Sequence, residues 1–251
     1  MVETNRDFQN PAVSAVLVTG GSRGLGLSIV RDLLARGVKV ATFSRTISHD
    51  LNQLHEQYGD ALFSAALDLN DQQDTLAFMD SAASRFGFLD GLVNNAAVGQ
   101  DSLLIHTSPE KIQEVIQVDL IIPILITRLF ARRILRDKLQ GRIVSISSIL
   151  AHRAFPAAVA YSAAKAGLEA ATLALAQECR GRILANCVAP GFFDSAMSSI
   201  FGPKQRVAIK RRIVTGRTIS SANIVPIVRM LLMEDTGMNG QTIIVDGGAR
   251  S

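Results

Sequence analysis

The chain has 251 residues, of which 48% are apolar and 19% are charged, and tryptophan is absent. This composition excludes an intrinsically disordered chain and predicts a folded protein with an aliphatic core, long enough for one large α/β domain. The net charge is +4. Because no nucleic-acid motif accompanies the basic residues, we expect an anionic cofactor or an acidic partner and no nucleic acid.

The sequence also argues against membrane, secreted and metal-binding proteins. The longest apolar stretch, residues 120–126, contains Pro123 and is far too short to span a bilayer. Residues 1–11 are polar, so we expect no secretory signal and a cytoplasmic protein. Cys179 and Cys187 lack metal-ligand spacing and fit a reducing compartment without disulfides, and we predict no metal site.

The first predicted element is an apolar strand over residues 14–19, which leads into a glycine-rich loop and an amphipathic helix over 27–36. This order is typical of a dinucleotide phosphate site, where glycines permit a tight turn, the approach of a pyrophosphate and close helix packing. The alternative is a glycine turn with no ligand. The loop residues expected at the cofactor are Gly20, Ser22, Arg23, Gly24, Leu25 and Gly26.

A second strand, over 38–43, ends at Ser44 and Arg45, where a dinucleotide fold meets the adenosine ribose. An acidic residue here would suit the 2′-hydroxyl of NAD, but none is present. Arg45, together with Arg23 of the loop, instead suits the 2′-phosphate of NADP. Two solvated surface arginines are the alternative.

Two further strands end in residues that suit a cofactor crevice. The strand over 62–67 ends at Asp68, which can accept a hydrogen bond from an adenine amino group, with Leu69 beside it. The strand over 89–93 is followed by Asn94, Asn95, Ala96 and Ala97. Small and amide residues at the carboxyl end of a strand lie where such sheets bind ligands, so we expect Asn95 and Ala96 at the cofactor.

The alternation of strands and helices continues to the end of the chain. Helices are predicted over 71–86, 108–138 and 221–233, strands over 142–148, 183–189 and 240–246, and one more helix ends near residue 180. Pro123 is expected to kink the long helix or interrupt its hydrogen bonding. The basic, weakly patterned segment 192–217 is expected to be an irregular lid. We therefore predict a single domain over 1–251, with a doubly wound, parallel, seven-stranded Rossmann-like sheet of the α/β class and helices on both faces.

The helix that ends near residue 180 carries the candidate chemistry. Tyr161 and Lys165 are four residues apart, which places them on one helical face, and Ser148 ends the preceding strand. A lysine cation beside a phenol favours the phenolate and lowers a pKa that is normally near 10. These groups suit proton transfer to a carbonyl oxygen. The alternative is an alanine-rich core helix with a buried tyrosine and a lysine whose charged end reaches solvent.

The motifs and their order resemble those of the short-chain dehydrogenase/reductase family over essentially the whole chain, most closely its 3-oxoacyl-(acyl-carrier-protein) reductases. The similarity rests on Thr19-Gly20-x-x-x-Gly24-x-Gly26, Asn94-Asn95-Ala96-Ala97, Ser148, Tyr161-x-x-x-Lys165, Pro190-Gly191 and Val245-Asp246-Gly247-Gly248. The resemblance implies that Tyr161 is the general acid for reduction, that Lys165 binds the nicotinamide ribose and lowers the tyrosine pKa, and that Ser148 orients the carbonyl.

The resemblance also implies contacts with the nicotinamide half of the cofactor. Asn95 would line the nicotinamide ribose, and Pro190 with Gly191 would support the carboxamide side of the ring. Ser195 stands where the family often has a threonine beside the carboxamide or pyrophosphate. A tetramer is implied as well, with interfaces formed by the long helices and the last strand.

The sequence departs from the family pattern at two positions. Ala97 replaces a glycine, which makes backbone packing there tighter. Asp119 occupies the place of the fourth catalytic residue, an asparagine that helps to hold a water chain to the active-site lysine. An ionised aspartate accepts hydrogen bonds but donates none. Two alternatives follow for Asp119: it pairs with Lys165 and changes the tuning of Tyr161, or it faces solvent and does little.

These observations favour an NADPH-dependent reductase that transfers hydride to a ketone, with a 3-oxoacyl thioester or a polyketide-like β-keto compound as substrate. One alternative is an alcohol or sugar dehydrogenase that works oxidatively. Another is a weakly active cofactor-binding subunit, for which Asp119 is the only support.

Substrate specificity is expected in segments 97–108, 149–158 and 192–217. His152, Arg153 and Phe155 are expected at the pocket mouth, where Arg153 meets an anionic substrate group or is simply exposed. An acidic carrier protein is a possible partner for the basic residues Arg132, Arg133, Arg136, Arg180 and Arg182. A solvated basic face or a subunit contact is the simpler interpretation of those five residues.

Overall fold

The fold was obtained as a computed structural model, which describes residues 12–99, 102–193 and 203–249. It contains a seven-stranded sheet in the order β3-β2-β1-β4-β5-β6-β7, and every neighbouring pair of strands is parallel. The strands are β1 (Ala15–Thr19), β2 (Lys39–Ser44), β3 (Leu62–Ala66), β4 (Gly91–Asn94), β5 (Gly141–Ile146), β6 (Ile183–Pro190) and β7 (Thr242–Val245). The predicted doubly wound, parallel seven-stranded sheet is confirmed.

Eight α-helices within the described residues connect and cover the strands. They are α1 (Gly24–Leu34), α2 (His49–Tyr58), α3 (Gln72–Phe86), α4 (Pro109–Ile116), α5 (Ile122–Arg136), α6 (Val159–Glu178), α7 (Pro203–Arg212) and α8 (Ser221–Met233). These helices pack against the sheet in two apolar cores. One core is lined by α1, α2 and α8, and the other by α3, α5 and α6. In the described part of the chain, no helix is long and apolar enough to cross a membrane.

The direction of chain winding reverses beside β1, and this reversal determines where a ligand site can form. The chain runs from β1 outward to β2 and β3, then returns to place β4 on the other side of β1. Loops that leave β1 and β4 therefore diverge and open a crevice at the carboxyl edge of the sheet. The strands at this point are fully buried, because helices cover both faces of the sheet.

The long helix expected over 108–138 is divided by a π-helical turn, Gln117–Ile121, between α4 and α5. Pro123 explains the interruption, because it has no N–H to donate to the carbonyl of Asp119, four residues earlier. The expected effect of the proline is confirmed. Its consequence is that Asp119 lies in the irregular turn.

Two helices differ from the sequence-based expectations. Helix α2 was not predicted, because only Leu51 and Leu54 of its ten residues are buried and the rest of the segment is mostly polar. Helix α7 lies inside segment 192–217, so the expectation of an irregular segment is wrong there. Lysine, arginine, glutamine and alanine favour a helix even without an apolar face. The remaining residues 194–202 of the expected lid lie outside the described residues.

Candidate active site

A crevice of about 580 Å³ opens at the carboxyl ends of the strands. Most of the residues predicted from the sequence line it: Gly20, Ser22, Arg23, Gly24, Leu25, Gly26, Ser44, Arg45, Asp68, Leu69, Asn95, Ala96, Ser148, Tyr161, Lys165, Pro190 and Gly191. Asp119 is buried and does not line it, and Ser195 lies outside the described residues. The structure thus brings distant motifs to one site, while the role of each residue stays a prediction.

The glycine loop between β1 and α1 is held by a threonine of β2. Thr42 accepts a hydrogen bond from the Gly21 N–H at 3.1 Å and donates one to the Val18 carbonyl at 2.7 Å. Helix α1 starts so close to the strand that a Cβ at Gly26 would lie 2.2 Å from the Gly20 oxygen. Only glycine fits at position 26. The first residues of α1, Gly24, Leu25 and Gly26, line the crevice, so the N-terminus of this helix faces it.

Asn95 ties the loop after β4 to the end of β1. Its Nδ2 donates to the Thr19 carbonyl at 2.9 Å and to the Gly20 carbonyl at 3.2 Å. The Thr19 hydroxyl in turn accepts the N–H groups of Asn95 and Ala96 at 2.9 and 3.0 Å. The Asn95 amide is therefore engaged in shaping the glycine loop, a role that the sequence did not indicate.

The crevice ends in a polar, cationic region beyond β2 and β3. Arg23 and Arg45 both line it, and both residues are exposed. Asp68 accepts hydrogen bonds from the backbone N–H and the side-chain amide of Asn70, at 2.9 and 3.0 Å. This end offers two guanidinium groups and one carboxylate to a ligand.

The other end of the crevice combines a hydroxyl, a phenol and an ammonium group. Ser148 follows β5, and its hydroxyl accepts a hydrogen bond from the Leu150 N–H at 3.2 Å. Tyr161 of α6 is hydrogen-bonded to Ser148. Lys165, one turn further, lies with Nζ 5.7 Å from the centre of the Tyr161 ring and donates to the Ile146 carbonyl at 3.1 Å. The three side chains form one cluster at the end of β5.

Asp119 lies directly behind this cluster and is completely buried. Its Oδ1 accepts the Val98 N–H at 3.1 Å and lies 3.7 Å from Nζ of Lys165. Its Oδ2 has no hydrogen-bond partner among the described residues. Of the two alternatives for Asp119, the structure supports the pairing with Lys165 and contradicts exposure to solvent.

Comparison with known proteins places this site in a family. A model of the short chain dehydrogenase family matches residues 14–206. The chain belongs to the short-chain dehydrogenase family. It is 34% identical to nodulation protein G of Rhizobium sp. (strain N33) over 92% of this chain and 95% of the relative. It is 31% identical to the 3-oxoacyl-[acyl-carrier-protein] reductase FabG of Escherichia coli (strain K12), over the same shares of the two chains.

A crystal structure of a short chain dehydrogenase from Bacillus anthracis str. 'Ames Ancestor' shares the fold. It superposes with a TM-score of 0.84 at 23% sequence identity, over 94% of this chain and 95% of that one. A short-chain dehydrogenase is an oxidoreductase, and this family uses a nicotinamide cofactor.

The crevice of this short-chain dehydrogenase fits a nicotinamide dinucleotide. The space beside Gly24, which has a φ of +59°, is open, so that the backbone there is accessible to a diphosphate. Arg23 and Arg45 would hold the adenosine end, and Tyr161 and Lys165 would lie at the nicotinamide end. The continuous lining from one end to the other is the observation that supports the fit.

The acidity of Tyr161 is determined by four competing influences. Burial raises its pKa above the ordinary value of 10.0, Lys165 lowers it, Asp119 raises it further, and the hydrogen bond to Ser148 lowers it. Lys165 therefore acts in the predicted direction, but burial outweighs it. In the free enzyme the phenol stays protonated at neutral pH.

The pKa of Asp119 predicts how stability depends on pH. Burial raises this pKa from 3.8 to about 6, against the opposing effects of Lys165, the Val98 N–H and Lys111. Because the folded state holds the proton more tightly than the unfolded state, the contribution of Asp119 is most favourable below about pH 4 and is lost as pH rises to about 6. We expect Asp119→Asn to remove this dependence, which amounts to about 3 kcal/mol.

The measurement is the free energy of unfolding in urea at several pH values from about 4 to 7. Asp50→Asn is the matched control, because Asp50 is exposed in the first turn of α2. The control is expected to follow the wild-type pH profile. An Asp119→Asn profile as steep as that of the wild type would show that the buried carboxyl does not titrate in this range.

A second set of polar contacts lies beside Lys165, and the sequence did not predict it. Glu169, one turn after Lys165 on α6, accepts a hydrogen bond from the Ser147 hydroxyl. The same carboxylate lies 3.1 Å from Nε2 of His152. No spacing in the sequence signals these contacts, because Glu169 is 22 and 17 residues from Ser147 and His152.

The segment after Ser148 differs from expectation at Arg153. Its guanidinium pairs with Asp246 at 3.2 Å, so Arg153 is not simply exposed, while its contact with an anionic substrate group stays a prediction. Phe155 packs against Phe192, with ring centres 5.3 Å apart. These contacts attach the segment before α6 to the ends of β6 and β7.

Proposed function

We propose that this short-chain dehydrogenase is an NADPH-dependent reductase that converts a ketone to an alcohol, and that its substrate is a 3-oxoacyl thioester. The observation that carries the proposal is the cluster of Ser148, Tyr161 and Lys165 at one end of a dinucleotide-sized crevice. A hydroxyl, a phenol and a cation together suit the reduction of a carbonyl group.

Each residue of the cluster has a definite part in the reaction. When bound, the nicotinamide supplies hydride to the carbonyl carbon. The Ser148 hydroxyl holds the carbonyl oxygen beside the phenol, and Tyr161 gives its proton to that oxygen as negative charge develops there. Lys165, held by the Ile146 carbonyl, stabilises the phenolate that remains. The protonated phenol of the free enzyme is the form that reduction requires.

The preference for NADPH follows from the charges at the adenosine end. Arg23 and Arg45 line the crevice there, and no acidic residue follows β2 at positions 45–47. Two guanidinium groups attract a 2′-phosphate, whereas a 2′-hydroxyl needs a carboxylate that is missing at this point. Because cells keep the NADPH pool reduced, this preference also favours reduction over the oxidation of an alcohol or sugar.

The substrate class is supported by the relatives. The Escherichia coli protein that is 31% identical over 92% of this chain is named a 3-oxoacyl-[acyl-carrier-protein] reductase. We propose a related substrate here, bound as a small molecule or through an acyl carrier, and we propose a tetramer as the assembly. Exposed apolar side chains such as Ile124 of α5 and Leu173 of α6 support burial of these helices between subunits.

The test is the consumption of NADPH or NADH with a panel of carbonyl compounds. We expect S-acetoacetyl-N-acetylcysteamine to be reduced with NADPH, and simple sugars and secondary alcohols to show no turnover with NADP⁺. An enzyme that binds NADPH but reduces none of the β-keto compounds would contradict the proposal and support the weakly active subunit. A preference for NADH would contradict the cofactor assignment alone.

A further inference from the structure

One carboxylate of α6 contacts the chain on both sides of Ser148. The Ser147 hydroxyl donates a hydrogen bond to Oε1 of Glu169. Nε2 of His152, four residues after Ser148, lies 3.1 Å from the same oxygen. Ser147 is buried and the Glu169 side chain is 14% exposed, so these contacts are largely shielded from water. Ser148 therefore stands between two residues that are attached to one side chain.

The backbone between Ser148 and His152 is a single 3₁₀ turn, Ile149–Ala151. The His152 N–H donates to the Ile149 carbonyl at 3.0 Å. The Ser148 hydroxyl accepts the Leu150 N–H at 3.2 Å, and the Ile149 side chain is buried. A short turn that is closed by its own hydrogen bonds moves as one piece. A contact that holds His152 therefore also restrains Ser148.

The helix that provides this carboxylate also carries the phenol and the ammonium group. Glu169 follows Tyr161 and Lys165 at four-residue intervals, so the three side chains lie along one face of α6. Lys165 attaches this face to the end of β5, because its Nζ donates to the Ile146 carbonyl at 3.1 Å. Glu169 adds two attachments just beyond that point. The position of Ser148 is thus set by the same helix that positions the phenol.

Glu169 cannot act on substrate directly, because neither it nor His152 lines the crevice. A hydrolytic triad does not fit either, since in such a triad the histidine lies between the hydroxyl and the carboxylate. Here the carboxylate lies between the Ser147 hydroxyl and His152, so the histidine does not activate the serine. This arrangement is suited to holding the chain in place.

A carboxylate is well suited to this purpose. It accepts several hydrogen bonds at once, and a largely buried carboxylate without donors is strongly unfavourable. Ser147 and His152 supply the donors for Glu169, and both belong to the segment that contains Ser148. The need to satisfy the carboxylate therefore favours one placement of this segment on α6.

We propose that Glu169 is a positioning residue, which holds the Ser148 hydroxyl where it can bind the substrate carbonyl beside Tyr161. This inference rests on the proposed function, because it deepens the part that Ser148 has in the reaction. A small displacement of a group that orients the substrate lowers the rate sharply. Loss of Glu169 therefore reduces catalysis through Ser148, whereas the cofactor is bound as before.

The test is a double-mutant cycle of Glu169→Ala and Ser148→Ala, with kcat measured for the reduction of S-acetoacetyl-N-acetylcysteamine by NADPH. We expect Glu169→Ala alone to lower kcat by about tenfold or more, with KM for NADPH changed by less than about twofold. In the Ser148→Ala background the same change should have little further effect, because the hydroxyl that it positions is already missing. Equal losses in both backgrounds would overturn the proposal, since a merely structural role does not depend on this hydroxyl.

Glu178→Ala is the matched control, because Glu178 is exposed at the end of the same helix. We expect this variant to have wild-type kinetics. Glu169→Gln keeps an oxygen that can accept hydrogen bonds and should retain kcat within about threefold of the wild type. A loss in Glu169→Gln as large as that in Glu169→Ala would contradict a role that depends on accepting these hydrogen bonds.

A surface variant covers the case in which Glu169→Ala does not fold. The His152 side chain is 33% exposed, so His152→Ala removes one of the two contacts without opening the core. We expect a smaller loss of kcat than in Glu169→Ala, with the same dependence on the Ser148 hydroxyl. Wild-type kcat in both His152→Ala and Glu169→Gln, combined with an additive loss in a Ser147→Ala and Ser148→Ala cycle, would also overturn the proposal.

Hydrogen exchange of the backbone amides provides a measurement that does not depend on turnover. The amides of residues 150–153 donate within the turn that follows Ser148. They should exchange about tenfold faster in Glu169→Ala and at the wild-type rate in Glu178→Ala. Unchanged exchange in Glu169→Ala would show that the carboxylate does not hold this segment. Failure of the wild-type enzyme to reduce any β-keto thioester contradicts the proposed reaction instead, and the exchange rates still decide whether Glu169 restrains the turn.

Discussion

Replacing Tyr161 with phenylalanine is expected to lower kcat by about a thousandfold, because the variant keeps the ring but loses the proton donor. The phenol is hydrogen-bonded to Ser148 and stands one helical turn from Lys165, and no other phenol lines the crevice among the described residues. The measurement is the initial rate of NADPH oxidation with a saturating β-keto thioester. Affinity for NADPH, followed by fluorescence, should change little.

The chain provides a matched control for this experiment. Its only other tyrosine is Tyr58, at the C-terminal end of α2 and outside the crevice. Tyr58→Phe removes a phenolic hydroxyl that lies outside the crevice, and we expect the variant to have wild-type kinetics. Retention of full activity by Tyr161→Phe would falsify the proton-transfer role, whereas equal losses in both variants would indicate a general effect of removing a phenol.

The fold could be predicted well because each strand is marked by a short apolar run that ends in a change of composition. The run before Gly20 and the run before Ser148 both proved to be strands, β1 and β5, with boundaries shifted by one or two residues. Helix α7 was missed for the opposite reason, since its exposed, basic sequence has no apolar face. Burial patterns predict elements that pack into the core, and they say little about elements that do not.

The candidate site could be predicted where chemistry depends on side-chain type and spacing. Tyr161, Lys165 and Ser148 are recognisable in this way. The hydrogen-bond acceptor of the Lys165 ammonium group could not be predicted in this way. It is the backbone carbonyl of Ile146, and every residue has such a carbonyl. The burial of Asp119 was likewise open until the structure placed it behind Lys165, 3.7 Å from Nζ.

The buried carboxyl of Asp119 changes the electrostatics of the site through Lys165 and Tyr161. The carboxylate partly compensates the charge of Lys165 and so weakens the ability of that cation to acidify Tyr161. The raised pKa of the phenol keeps Tyr161 in the protonated form, which is the form that can donate a proton.

The second large effect is expected at the adenosine end of the crevice. Replacing Arg23 and Arg45 together with alanine should raise KM for NADPH by about a hundredfold, because both guanidinium groups are available to a 2′-phosphate. KM for NADH should change by less than about twofold, since NADH has no phosphate at that position. The measurement is the ratio of kcat/KM for the two cofactors with one β-keto thioester.

Arg31→Ala provides the control for this cofactor prediction, because Arg31 is exposed on α1 and does not line the crevice. The rise in KM for NADPH that follows the replacement of Arg23 and Arg45 should also be smaller at high salt, since screening weakens the attraction between an exposed guanidinium and a phosphate. A parallel loss for NADPH and NADH would mean that the arginines position the glycine loop or the adenosine in general. In that case the absence of an acidic residue after β2 would no longer identify the cofactor, and the protonated phenol of Tyr161 would be the one remaining feature that favours reduction.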